Sequence, residues 1–220
     1  MAISTYAELQ SAVTSWILRD NIPAERVKDF IRLAESKMNL RLRCRENSYK
    51  LEQNIGTVTA VTIPANYLEM IRIRPTATWV DDGSGPVLTY SENYGPLTLH
   101  SPDALSVPSV SGVPYAYAHY PDGDYWKIYP VGQYQITVWY YGKVTALTDS
   151  VTTSELLTNW PDLYLSGALL EAEMYLKTPP DKMGPWGGMF TSMIEQLTKL
   201  HRVSQSSGSQ MLTRNPYGNR

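Results

Sequence analysis

Few of the 220 residues belong to types and spacings that perform chemistry. His100, His119 and His201 stand far apart with no H-x-x-x-H pair, and Cys44 is the only cysteine, so the spacing that holds zinc is absent. His119, beside Tyr117 and Tyr120, reads as a packed strand residue rather than a group that orders a catalytic acid. Asp122-Gly123-Asp124 begins like a calcium loop, but the later ligands and the closing Glu are missing, and a turn explains it better. Gly83-Ser84-Gly85-Pro86 is too short for a phosphate loop and has no Lys, while Gly184 to Gly188 reads as a helix-breaking connection. There is no G-x-S-x-G elbow and no carboxylate pair that stands out from ordinary surface acids. The expectation is a protein with no catalytic residue, no metal and no cofactor.

The remaining chemistry is that of contact. The run LRLRCR, Leu40 to Arg45, alternates apolar and basic residues. Two readings of it stay open: a solvated helix end that compensates the helix dipole, or Arg41, Arg43 and Arg45 as contacts to another subunit or to DNA. Near the C-terminus, Met211, Leu212 and Tyr217 are the substantial apolar anchors of a polar stretch, with Arg214 beside them.

Helices must position the ends of the chain. Thr5 and Glu8 form a T-x-x-E capping box, after which Tyr6, Leu9, Val13, Trp16 and Ile17 recur at helical spacing as far as Arg19-Asp20. A second helix starts at Pro23, a favoured first-turn residue, and places Val27, Phe30, Ile31, Ala34 and Met38 on one face. Its last turns collect Lys37, Arg41, Arg43 and Arg45. A third starts at Asn159 as its cap, with Trp160, Leu163, Gly167, Leu170 and Met174 in a stripe that Tyr164, Ala168, Ala172 and Tyr175 widen. The small residues Gly167, Ala168 and Ala172 predict a close helix approach, and the whole stretch is too apolar for a solvated surface. It is expected to pack against two helices from the front of the chain and one from the back. That last helix carries Trp186, Met189, Phe190, Met193, Ile194, Leu197 and Leu200 on one face.

Between about Tyr49 and Thr152 the period changes to two. TVTAVTI (Thr57 to Ile63), MIRIRP (Met70 to Pro75) and ITVWYY (Ile136 to Tyr141) read as strands, and most of the Pro and Gly punctuates this region. Asp122-Gly123 between two aromatic runs is a hairpin signal, and Tyr115 to Tyr141 reads as a three-strand meander. The predicted fold class is α+β, an antiparallel helical bundle built from the N- and C-terminal helices. Inserted in it is an antiparallel β domain of seven or eight strands, a sandwich or barrel, and an extended C-terminal arm follows. The boundaries fall at 1–46 and 153–203 for the bundle, 47–152 for the β domain and 204–220 for the arm. The arm, 17 residues without an acid, reaches about 55 Å when extended. It is expected to dock on a neighbouring chain or partner rather than fold back on its own subunit.

Composition narrows the function classes. A net charge of −2 gives no electrostatic footprint for wrapping nucleic acid. Sixteen Tyr and six Trp against two Phe suit surfaces that are dry on one side and wet on the other. The start MAISTYAELQ lacks the basic and apolar runs of a secretory signal, and no stretch approaches about 20 apolar residues, so a soluble protein made in a cytoplasm is expected.

Six segments in the same order, STYAELQSAVTSWILRDNI, IRLAESKMNLRLRCRE, VTIPANYLEMIRIR, GVPYAYAHY with WKIYP, ITVWYYGKVTALT and NWPDLYLSGALLEAEMYL, resemble the head-to-tail adaptor proteins of tailed bacteriophages, above all the short-tailed ones. The resemblance spans about residues 3 to 200. It implies a structural virion protein in the neck between capsid and tail, not an enzyme. Such proteins form a ring, commonly of twelve copies, beneath the portal protein. The ring extends the channel through which double-stranded DNA passes without sequence-specific binding, and offers a platform for the tail nozzle or tube and sometimes for tail fibres. A different class also stays open, a carbohydrate- or receptor-binding module that uses exposed Tyr and Trp of the β region, with Trp126 and Trp139 as its test residues.

Overall fold

The computed structural model describes residues 3–17, 22–55, 60–81, 86–90, 94–105, 112–130, 132–178 and 184–206. The chain divides into two compact units, Met1–Asn47 with Val144–Arg220, and Ser48–Lys143. The class is α+β, with five α-helices and eight strands among the described residues.

In the helical unit, α1 spans Tyr6–Ile17 and α2 Ala24–Arg41. The capping box of α1 forms as its sequence predicts: the Glu8 amide donates to Thr5 Oγ1 at 3.3 Å, and Glu8 Oε2 accepts from the Thr5 amide at 2.9 Å. Ser4 adds its amide and hydroxyl to the same carboxylate oxygen. Pro23 stands at the N-cap of α2 rather than in its first turn. The helix ends at Arg41, because Leu42 turns extended, so Arg43 and Arg45 lie beyond the helix.

Asn159 does not cap a helix. A short α3, Glu155–Asn159, starts earlier because the Ser154 hydroxyl accepts from the Leu157 amide, and Asn159 is its last residue. Trp160 then separates it from α4, Pro161–Tyr175, where Pro161 at the first position needs no amide partner. Helix α5 spans Trp186–Ser206, so Gly187 and Gly188 sit in its first turn, and Ser204 to Ser206, assigned by sequence to the arm, are helical. The anchors Met211, Leu212, Arg214 and Tyr217 lie outside the described residues.

Helix α4 packs against α1, α2 and α5. It is buried at Leu163, Tyr164, Leu165, Ser166, Gly167, Ala168 and Leu169 in succession, which covers every side of the helix. A Cβ placed on Gly167 would fall 2.8 Å from the Phe190 ring of α5 and 2.9 Å from the Ala34 Cβ of α2, so the glycine is what lets both helices approach. Met174 and Tyr175, expected in the packed stripe, are exposed, because they lie in the last turn of the helix.

In the other unit, β1 (Ser48–Ile55), β8 (Tyr134–Gly142), β3 (Tyr67–Asp81) and β4 (Pro86–Tyr90) form one sheet in the order β1-β8-β3-β4. A second sheet has the order β2-β7-β6-β5, from Ala60–Thr62, Tyr125–Tyr129, Ala116–Tyr120 and Thr98–His100. Neither sheet closes on itself. One apolar cluster joins them, with Ile73, Ile136 and Val138 from the first sheet and Val61, Trp126 and Ile128 from the second.

Two expectations need correction. The pairing of β5 with β6 is parallel, whereas the other pairings are antiparallel. The meander is not formed either: β6 and β7 make the hairpin, but β8 leaves for the other sheet. Pro130, with no amide to donate, interrupts the ladder after β7. β8, buried at Ile136, Thr137 and Val138, then finds a partner on each side in β1 and β3.

Candidate interface surfaces

The alternation of LRLRCR survives past the end of α2. Leu42 and Cys44 point into the helical core, leaving the three arginines outward. Each stands in a different setting. Arg43 folds back and donates to the carbonyls of Asn39 at 3.2 Å and Leu42 at 2.8 Å, which satisfies the carboxyl end of the helix. Arg41 lines a groove of about 590 Å³ with Thr191, Glu195, Lys199 and Arg202 of α5, and Arg45 is exposed. The turn that follows is closed by Asn47, which is buried, accepts from the Cys44 amide at 2.8 Å and donates to the Leu42 carbonyl at 3.0 Å. Burial pushes the Cys44 thiol up to about 12, far from the reactive thiolate range.

A second groove of the helical unit, about 420 Å³, lies between α2 and α4 and presents Phe30, Leu33, Met174 and Tyr175 between flanking charges. Phe30 and Tyr175 touch with ring centroids 5.5 Å apart. Glu171, nearly buried at its edge, holds Lys37 Nζ at 2.5 Å. Trp16, 55% exposed, leans edge-on against Trp186 at 5.3 Å. These are among the apolar surfaces that the described residues of the helical unit leave unpacked.

Sequence reasoning missed the tie between α2 and the segment after β8. The Asn39 side chain accepts from the Val144 amide at 2.7 Å, Glu35 accepts from the Leu147 amide at 2.9 Å, and Lys28 Nζ meets Asp149 at 2.9 Å. Positions 28, 35 and 39 share one helix face, and that spacing was the available signal. Residues 144 to 152, assigned by period to the strands, therefore pack with the helices. Desolvation raises the Glu35 carboxyl to about 7, against the opposing pull of the Leu147 amide and Arg32.

In the β unit the aromatics divide. Trp126 is 2% exposed, set edge-on to Tyr67 at 5.1 Å, and so is a core residue unavailable to a sugar. Trp139 faces outward but carries the Arg72 guanidinium 4.3 Å and the Arg74 guanidinium 5.1 Å from its ring centroid. On the second sheet Tyr120 and Tyr125 stack at 5.4 Å, and Lys127 lies over Tyr120 and Tyr129. Hydrogen bonding to Tyr129 is the largest cause that raises the Tyr120 hydroxyl to about 12.

The histidines do not meet. His100 is in β5, His119 is exposed on β6 rather than packed, and His201 is in α5, where burial lowers its pKa against the pull of Glu46. Among the described residues no three His, Cys, Asp or Glu side chains gather to hold a metal ion, and no helix is long and apolar enough to cross a membrane.

These surfaces are apolar grooves and cation-capped aromatics, suited to macromolecular contact. No curated protein matches the chain by sequence. A family model described as SU10 adaptor protein matches residues 4–214, which takes in both units and extends past the end of α5. The chain therefore belongs to the SU10 adaptor protein family, consistent with a bacteriophage head-to-tail adaptor.

Proposed function

We propose that this protein assembles as a ring of twelve copies beneath the portal, in the neck of the virion, where it extends the DNA channel and carries the tail nozzle or tube. The family match over residues 4–214 carries this reading. A closed ring repeats one heterologous contact and needs large complementary surfaces rather than reactive groups. Support comes from the apolar groove of α2 and α4 and the exposed Trp16, which are more than a solitary subunit needs.

In this reading α1, α2, α4 and α5 are a bundle that faces the portal and adjacent copies. The two sheets are a sandwich directed towards the tail. The residues after Ser206 are an arm that clasps a neighbour or the portal through Met211, Leu212, Arg214 and Tyr217, while Arg41 and Arg45 contribute at the subunit boundary. DNA passes without sequence-specific contacts, in keeping with a net charge of −2. The protein acts as a structural component without chemistry of its own.

Electron microscopy of the purified protein with its portal partner tests the proposal. Stoichiometric rings on the portal are expected, and a persistent lack of them overturns it. Removal of residues 207–220 separates the arm from the rest: the product should fold, remain soluble and attach more weakly. Unchanged attachment would remove the clasp.

A further inference from the structure

The outer face of the first β-sheet holds two cations over one indole. Ile73 and Val138, a cross-strand pair, point into the core, so Arg72, Arg74 and Trp139 point out. The indole lies under both guanidinium groups and holds them side by side. Neither arginine has a carboxylate partner among the described residues, and Arg74 Nε is buried with no acceptor. Lys50, opposite Trp139 on β1, is already engaged by Glu52. What is left is a preorganised double fork that lacks its anion.

The same chain carries a matching pair of anions elsewhere. The β6–β7 turn, Pro121–Gly123 followed by Asp124, exposes the carboxylates of Asp122 and Asp124, and neither has an ion-pair partner among the described residues. The turn is firmly held. Tyr120 and Tyr125 stack at its base with an interplanar angle of 4°, and the Asp124 carbonyl accepts from the Ile63 amide at 2.9 Å. Each pair is two residues apart in sequence, a spacing of about 7 Å along a strand for the arginines. The fork belongs to one sheet and the turn to the other, and no ion pair joins them within one chain among the described residues.

We infer that the β6–β7 turn of one copy docks on the Arg72–Trp139–Arg74 face of the next, with Asp122 and Asp124 as the missing anions. A heterologous contact requires two different, complementary surfaces on one chain, and these two supply it. Two isolated cations beside an already paired Lys50 suit a compact dianion better than duplex DNA, whose charge recurs about every 1.7 Å. This inference rests on the ring proposed above and specifies one of its contacts.

A charge swap tests it. One variant is Arg72→Glu with Arg74→Glu. The other is Asp122→Arg with Asp124→Asn, the asparagine chosen because Asp124 has φ 47°, which Asn tolerates. All four side chains lie on the surface or partly so, and circular dichroism should match the wild type. Each variant alone should raise the protein concentration needed for ring formation on the portal by at least about tenfold. A one-to-one mixture should return it to within about threefold of the wild type, because each turn then finds a fork of opposite sign. The neutral variant R72Q/R74Q guards against misfolding and should lose less than the reversal.

A mixture no better than its parts overturns the contact. So does a fork variant that fails while the turn variant assembles normally, since the fork would then meet DNA or a tail protein. If wild-type protein forms rings and the mixture is not rescued, this contact alone is removed. If wild-type protein forms none, the adaptor reading falls first.

Discussion

The two units cover their aromatic groups differently. In the helical unit the notable polar groups are drawn inward, with Glu35 on the Leu147 amide, Asn47 closing its turn and Glu171 on Lys37, while Trp16, Leu33, Leu40, Met174 and Tyr175 remain exposed. In the β unit three of the outward aromatics lie under cations, Trp139 under two arginines and Tyr120 and Tyr129 under Lys127, while Tyr115, Leu99 and Val113 stay exposed. An apolar surface favours contacts that persist and respond weakly to salt. A surface of unpaired charges gives contacts that are steered and salt-sensitive, since the screening length is about 8 Å at physiological ionic strength. One chain thus presents two kinds of adhesive face.

The largest effects come from emptying the two cores. Tyr164, fully buried in α4, and Trp126, between the sheets, are both large aromatic residues with almost no exposure. Tyr164→Ala and Trp126→Ala should each cost about 3–5 kcal/mol in denaturant unfolding. Amide exchange should localise the loss to α4 for the first and to β7 for the second. A Trp126→Ala variant with undiminished stability would mean that this indole is not a core residue, and would reopen the sugar-binding alternative.

Next in size is a pH effect confined to the helical unit, in which two carboxylates titrate with opposite sign. The folded pKa of Glu35, about 7, lies above the ordinary 4.5. Its contribution is therefore fully present below about pH 4.5 and is lost as pH rises through 7, a change of about 3 kcal/mol. Glu8 is held at about 2, first by the Ser4 amide, so its contribution is complete above about pH 4.5 and is lost as pH falls through 2. Glu35→Gln keeps an acceptor for the Leu147 amide and should abolish the decline between pH 5 and 8 in urea titrations. An unaltered decline would place its origin elsewhere.

The sequence foretold what local rules decide. The capping box at Thr5, the buried stripe of α2 from Val27 to Met38 and the hairpin at Asp122-Gly123 each depend on residues within a few positions. It misled where a distant partner decides. β8 reads as the third strand of a meander, yet its ladder is made by β1 and β3, from remote parts of the chain. Asn159 is a sound cap by type, but Ser154 had already started a helix upstream. The candidate contact residues fared alike. Arg43 was visible as a cation, but its engagement with the carbonyls of its own helix end depends on Leu42 turning extended. Arg72 and Arg74 were not singled out within MIRIRP, although their spacing of two puts them on one strand face, and the indole under them comes from 65 or more positions later.

A smaller effect separates close approach from mere presence of glycine. Gly167→Ala pushes a methyl group to within 3 Å of both Ala34 and Phe190 and should destabilise by about 1–3 kcal/mol. Gly188→Ala, in the first turn of α5, meets nothing within 4 Å and should be neutral or stabilise by up to about 1 kcal/mol. Equal melting temperatures for the two variants would mean that α4 is not clasped from both sides.

The finest contrast concerns one indole from each unit. Trp139→Leu removes the plate beneath two guanidinium groups, and exposed cation–π contacts contribute about 0.5–1 kcal/mol each. Trp16→Leu removes an edge-on contact with Trp186 worth about 0.5–1.5 kcal/mol. The stability losses of the isolated proteins should therefore be of similar size, and stability alone does not distinguish the surfaces. Salt does. The Trp139→Leu variant loosens Arg72 and Arg74, so assembly of the proposed ring should weaken further as salt is raised from 50 to 300 mM, where screening already shortens the reach of the fork. The Trp16→Leu defect, being apolar, should stay nearly constant over that range. Parallel salt curves for the two variants would erase the distinction between the units as adhesive faces.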